Sequence, residues 1–284
     1  MPPVKEFLAQ LRPTIGRRFE GERNLERLIW WRPRKAHYLL GKIVCWTKSY
    51  NVGDNLSPIV VRRILENQGL RLENMRDDRR LLAVGSILHL AGDGDTVWGS
   101  GVNGKIGRRE YHFRSLDVRA VRGPLTRKFL LDKGIECPAV YGDPALLIPL
   151  LFPELKARRA DRQEYIVVPH LHEISTFPPG PEILYPTCHW REFISKILAA
   201  DLVISSSLHG IVVAEAFGIP TRLLRLESAE PIFKYEDYYF GTGRNKFSYA
   251  RSVADAKAMG GEELPRFDPD ELLNAFPFDL WSLA

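Results

Sequence analysis

Cysteine is scarce in this 284-residue chain, and its three copies, Cys45, Cys137 and Cys188, are widely spaced and odd in number. That argues against a disulfide framework and for a reducing compartment. No Cys-x-x-Cys occurs, so a zinc site has no support from cysteine spacing. No stretch of about 18 uncharged apolar residues is present, so no membrane span is expected. The opening MPPVKEFLAQLRPTIGRRFEGERN has no continuous apolar core before a small-residue cleavage site, so no signal peptide is expected. No internal repeat is evident. What remains is ordinary globular composition, 45% hydrophobic and 26% charged, and a cytoplasmic protein is expected.

The charge is unevenly placed. Residues 1–42 carry ten basic and four acidic side chains, a net +6, against +5 for the whole chain. The basicity therefore belongs to the N-terminal arm, where Phe7, Leu8, Leu11, Ile15, Leu28, Ile29, Trp30 and Trp31 are interleaved. Such a segment suits an anionic membrane surface, which would make the protein peripheral at the inner face of the cytoplasmic membrane. A solvated helix packed on the body is the plainer alternative. Nucleic acid is not expected, because no recognised module accompanies the charge.

The body alternates strand and helix, which predicts an α/β fold with parallel strands and helices on both faces. HYLLGKIVCW (37–46) reads as a strand and TKSYNVGDNLSP as a loop; a helix then starts at Ser57 or Pro58 and runs to about Gln68. Further strands are expected at 79–90, 96–104 and 116–121, and a helix ending at Gly134. PELKARRADRQE (153–164) is charged and reads as a linker. A second set follows: strand 165–173, helix 191–200, strand 201–207, helix 210–219 and strand 221–226. The expected organisation is a basic arm (1–36), an N-terminal α/β domain (37–155), a C-terminal α/β domain (156–255) and a tail (256–284) packing back on the first domain. Two Rossmann-like halves would face a cleft lined by strand-to-helix loops.

In ISSSLHGIVVAEAFGIP (204–220), Ser205 to His209 read as the loop at the carboxyl end of a buried strand, with Gly210 opening a helix. Free N–H groups and the positive end of the helix dipole make such a place an anion site. Three serines alone fit a capped turn, and a histidine alone fits a core; together they point to function. NVGD (51–54) lies on an earlier strand-to-helix loop, where Gly53 permits a close approach and Asp54 is a base or hydroxyl ligand, or else a helix cap. In VRGPLT (121–126), Arg122 is expected to project into the cleft, with a surface ion pair as the alternative. In YGDPALLIP (141–149), Asp143 reads as a structural orienter.

GSGVNGK (99–105) matches G-x-G-x-x-G and G-x-x-x-x-G-K, yet Ile106 stands where a phosphate loop needs Ser or Thr, and no helix follows. It reads instead as backbone lining the cleft. His170/His172 and Cys188/His189 are paired at a strand end and in a Pro-rich loop, and no metal is expected from either. Glu215 has Leu223 eight residues later, so the Glu-x7-Glu pair of many nucleotide-sugar glycosyltransferases is missing.

NVGD, VRGPLT, YGDPALL and SSLHGIVVAEAFGIP, in this order and spacing, resemble the polysaccharide pyruvyl transferase family. FKYEDYYFGTGR (233–244) is similar to the subgroup that makes pyruvate ketals on bacterial exopolysaccharide repeat units. The resemblance covers about residues 38–250. It implies two domains similar to GT-B glycosyltransferases, phosphoenolpyruvate as donor substrate, no cofactor, and a sugar hydroxyl pair as acceptor, on a lipid-linked oligosaccharide. Some family members have an arginine just before Leu-His-Gly; here Ser207 stands there. One donor contact is then expected from Arg244 or Lys246.

The catalytic candidates are His209, Asp54 and Arg122. Ser206, Ser207, Leu208, Gly210, Arg244 and Lys246 are the donor-binding candidates, and Asn51, Gly53, Ser100 and Gly101 the acceptor-binding ones. His209 would protonate C3 of the donor or hold its phosphate; Asp54 would accept the hydroxyl proton. A histidine near its ordinary pKa suits that role. Two rivals stand beside this reading: a glycosyltransferase of the same architecture using a nucleotide sugar, and a non-enzymatic assembly protein acting through the arm.

Overall fold

The computed structural model describes residues 27–30, 34–39, 42–48, 51–76, 79–155, 162–226 and 230–281, the second and third of these as backbone only. The arm's first 26 residues and half of the 153–164 segment (156–161) lie outside them.

Two four-stranded parallel sheets carry the fold. The first aligns β1 (Leu28–Ile29), β4 (Leu81–Leu82), β5 (Thr96–Trp98) and β6 (Asp117–Ala120) in chain order. The second aligns β7 (Ile166–Val168), β8 (Val203–Ser205), β9 (Thr221–Leu224) and β10 (Tyr249–Ala250). On the free side of β7, Val167 forms a parallel bridge with Ile183. The chain thus steps to one side of β7 and then crosses to β8 on the other, a reversal of strand order. Ligands bind outside the carboxyl ends of the strands at such a reversal.

The strand expected at 37–46 is instead two: β2 (Arg34–Leu39) and β3 (Lys42–Lys48), paired antiparallel in a separate two-stranded sheet. A continuous apolar run does not reveal that its two halves pair with each other, and Leu39 pairs directly with Lys42. The next helix, α1 (Val52–Asn67), starts earlier than expected. The Asn51 carboxamide caps it by accepting from Gly53 N, so NVGD is the helix start and not a loop. Pro58 sits inside the helix, where its missing N–H leaves the Asp54 carbonyl without its usual partner. The buried stripe Val52, Leu56, Val60 and Ile64 compensates by packing.

The remaining α-helices among the described residues are α2 (Pro124–Leu131), α3 (Ile148–Leu151), α4 (Trp190–Leu198), α5 (Leu208–Ala216), α6 (Phe233–Gly241), α7 (Val253–Met259) and α8 (Pro269–Asn274). α5 opens at Leu208, so His209 is in its first turn and not in the preceding loop. Helices this short are marginal alone; α5 holds because Ile211, Val212, Val213 and Ala214 are all buried. α1 packs against α3, α4 and α5, and one continuous apolar cluster joins it to residues of both sheets. The C-terminal segment returns to the first sheet. Trp98 Nε1 donates to Leu272 O at 2.9 Å, Phe276 stacks edge-on with Trp98, and Met75 bridges Trp281.

Candidate active site

A cavity of about 280 Å³ opens between the carboxyl ends of the two sheets. Ser86, Ile87 and His89 follow β4, and Asn103, Lys105 and Ile106 follow β5. His170, Leu171 and His172 follow β7, and Ser207, Leu208 and His209 follow β8. These last two loops flank the reversal of strand order. Asn51 and Asp54 come from the start of α1, and Glu230 and Lys234 from the start of α6.

Three helix N-termini, those of α1, α5 and α6, therefore face one space, each with the positive end of its dipole. At α5 the Ser207 side chain does not cap, and the N–H groups of Leu208 and His209 find no acceptor among the described residues. Two ammonium groups, Lys105 and Lys234, line the same wall. This is an environment for an anion.

The proton-transfer groups lie beside it. Burial pushes the Asp54 carboxyl up to about 7, although the Asn51 amide, donating at 2.7 Å, and the Lys234 ammonium pull it down. Asp54 thus changes charge near neutral pH. His209 shifts the other way: burial lowers its pKa, Asp143 opposes this, and Lys234 and Arg122 add to it. Its Nε2 is enclosed, has no hydrogen-bond partner, and stands 3.7 Å from Asp143 Oδ2, which is equally unpartnered. Its Nδ1 lies on the α1 side, 2.3 Å from where a Cβ on residue 53 would sit. Gly53 is what lets the imidazole reach the edge of α1.

Of the expected site residues, the fold brings Asn51, Asp54, Ser207, Leu208 and His209 to the cavity. Ser206 lies just behind: its Oγ accepts from His170 N at 2.9 Å and its carbonyl from Tyr235 Oη at 2.7 Å. Gly210 packs against Ser205 and Val168, where a Cβ would be 2.4 Å from Ser205 Oγ. Ser100 is buried and donates to Gly85 O at 2.9 Å; Gly101 is buried under the Arg122 guanidinium.

Arg122 neither projects into the cleft nor forms a surface pair. It is 0% exposed and donates to Asp237 Oδ2 at 3.1 Å, Ser86 Oγ at 2.5 Å and Val102 O at 2.8 Å. Asp237 also accepts from Thr126 N and Thr126 Oγ1. Arg122 meets the cavity only through Ser86. Arg244 is likewise committed, with two nitrogens on the Glu215 carboxylate at 2.9 and 2.8 Å, and Lys246 is exposed and does not line the cavity. Glu215 in turn accepts from Tyr238 Oη and Thr221 Oγ1, each at 2.7 Å. The cations that do line the cavity are Lys105 and Lys234. The first ends the glycine-rich run GSGVNGK, and the second lies within the FKYEDYYFGTGR segment.

His170, His172 and Glu230 were missed as cavity residues. They place three potential metal-ligand atoms within 4.8 Å of one another. Glu230, however, is already paired to both lysines: its Oε1 to Lys105 Nζ, and its Oε2 to Lys234 Nζ at 3.2 Å. Burial and Lys234 hold His170 well below its ordinary value. The alternating strands and helices gave the strand-end signal for His170 and His172; nothing in the sequence pairs them with residue 230.

Comparison with known proteins follows the same outline. Residues 51–228, more than half of the chain, match the family model for polysaccharide pyruvyl transferase. An uncharacterised protein of Acanthamoeba polyphaga mimivirus is 23% identical over 219 residues, 71% of this chain and 75% of that one. The succinoglycan biosynthesis protein ExoV of Rhizobium meliloti is 29% identical over 129 residues, 43% of this chain but only 39% of its own length. A crystal structure of a functionally uncharacterised Klebsiella pneumoniae protein aligns with 89% of this chain and 100% of that one, at 13% identity and a TM-score of 0.42. The chain belongs to the polysaccharide pyruvyl transferase family.

Proposed function

We propose that the protein transfers pyruvate from phosphoenolpyruvate to a pair of hydroxyls on a saccharide of an exopolysaccharide, forming a ketal. The observation that carries this reading is the meeting, in one cavity, of an anion environment with a carboxyl that titrates near 7. Two facing halves of GT-B type fit a cavity between two sheets.

The donor carries a phosphate and a carboxylate. Lys234, Lys105 and the free N–H groups at the start of α5 hold these groups and offset charge as it develops. His209 delivers a proton from Nδ1 to C3. Asp143, facing Nε2 at 3.7 Å, stabilises the imidazolium while it exists. The first hydroxyl oxygen then bonds to C2, and Asp54 accepts its proton. Phosphate leaves by cleavage of its bond to C2, the second hydroxyl closes the ketal, and the second hydroxyl proton departs with phosphate. Donor plus diol thus give ketal plus phosphate.

Arg122 is a positioning residue in this scheme, joining α6 to the loops after β4 and β5. Glu215 is saturated by Arg244, Tyr238 and Thr221, which leaves it no part in holding a nucleotide sugar. The test is incubation with phosphoenolpyruvate and saccharide, following phosphate release and the mass added to the glycan. Asp54→Asn should abolish transfer while retaining donor binding.

A further inference from the structure

Glu230 is the acid that the cavity's cations hold ionised. Its carboxylate pairs with the Lys105 and Lys234 ammonium groups, and its Oε1 is 3.8 Å from Nδ1 of both His170 and His172. Its side chain is 10% exposed and that of Lys234 is 8% exposed. Glu230 is three residues before the first residue of α6 and four before Lys234, whose ammonium is 3.2 Å from the Glu230 Oε2. The two ammonium groups closest to this carboxylate are of a kind that binds a substrate anion.

With Glu230 in place, the two lysines face one full negative charge inside the chain. With it withdrawn, the same wall presents two uncompensated cations. A surface salt bridge contributes little either way, but the Glu230–Lys234 pair is largely removed from water, where pairing decides where a charge can sit, while Lys105 reaches it from a more exposed position.

We propose that Glu230 is a resident counter-ion of the anion subsite: its carboxylate occupies the place of a substrate phosphate or carboxylate, and substrate binds by displacing it. The inference rests on the donor reading for the identity of the natural anion. The role of Glu230 itself concerns any oxyanion. Displacement sets a threshold. A ligand with one weak negative charge gains nothing over Glu230, whereas a phosphate ester bearing a second anionic group does. Glu230 therefore selects for multiply charged ligands and keeps Lys234 charged in their absence, since burial pulls that ammonium down to about 8 and Glu230 opposes the shift.

The experiment is isothermal titration of the full-length protein with inorganic phosphate, and separately with phosphoenolpyruvate, at pH 6.5, where Lys234 is protonated. Glu230→Gln and Glu230→Ala should both bind each probe about tenfold more tightly than the parent protein at the same ionic strength. Lys234→Met should bind both more weakly. Thermal melts check that each variant is folded. Unchanged or weaker phosphate binding in both folded Glu230 variants would overturn the proposal, because Glu230 would then serve to hold the lysines in place. Tight Zn²⁺ binding lost together in His170→Ala, His172→Ala and Glu230→Gln would also overturn it, by assigning the cluster to a cation. Tighter phosphate binding by the variants, with phosphoenolpyruvate bound no better than phosphate, would support the counter-ion role and count against the donor reading alone.

Discussion

His209 and Gly53 are in direct contact: Nδ1 of the imidazole stands 2.3 Å from the position a Cβ on residue 53 would take. Helix α1 and helix α5 meet at this point, and both begin at the cavity. Gly53→Ala should displace the ring while α1 stays intact, since alanine suits a helix. A misplacement of about 1 Å can cost on the order of 100-fold in rate. Transfer should fall by about that factor with little change in melting temperature. Unaltered transfer by the variant would show that His209 need not occupy this place.

Asp54 carries a function-versus-stability conflict. Its folded pKa, about 7, is above the ordinary 3.8. Between those values the folded protein binds a proton that the unfolded chain does not. The stability tied to this group is therefore full below pH 3.8 and is lost as pH rises toward 7. Asp54→Asn removes that loss. The variant should be more resistant to urea than the parent at pH 8, the difference should shrink toward pH 4, and transfer should be abolished. A variant less stable at pH 8 would contradict the burial of an ionisable carboxyl here.

Arg122 should matter for stability before chemistry. Arg122→Met leaves Asp237 buried without its cation, a loss of about 3–5 kcal/mol for a broken buried pair. Arg122→Lys should recover only part of it, because one ammonium cannot reproduce the fork that serves Asp237, Ser86 and Val102. Urea denaturation measures both. A loss below about 1 kcal/mol for the methionine variant, typical of surface pairs, would refute the buried pairing.

Asp143 raises the His209 pKa against burial and two nearby cations. Asp143→Asn should lower it further, which NMR titration of the imidazole would read directly, and should slow transfer most at the high-pH end, where the imidazolium is scarcest. An unmoved histidine titration would remove Asp143 from the site.

Much of this was legible in sequence because it depends on local pattern. The apolar runs around ISSSLHGIVVAEAFGIP fix β8 and α5, and of the polar residues between them Ser207 and His209 reach the cavity while Ser205 and Ser206 are buried behind it. NVGD reads as a site segment in sequence, but Asn51 makes it the start of a helix, a role that the sequence assigns to Ser57 or Pro58. Long-range pairings were not legible. Arg122 finds Asp237 115 residues away, and Arg244 finds Glu215 29 residues back across two elements. An arginine after a strand looks the same in sequence whether it enters the cleft or the core. Lys105 lay in a run that fails as a phosphate loop at Ile106, yet its ammonium lines the cavity. Whether a cation reaches a site depends on the packing of the other half of the chain.

The central claim is tested most directly by one measurement: phosphate release from isotopically labelled phosphoenolpyruvate in the presence of saccharide acceptor, with the glycan's label followed by mass spectrometry. The account predicts that one phosphate is released for each labelled pyruvyl group gained by the glycan, and that Asp54→Asn gives neither. Release of a nucleoside diphosphate from a nucleotide sugar, with no label in the glycan, would contradict it.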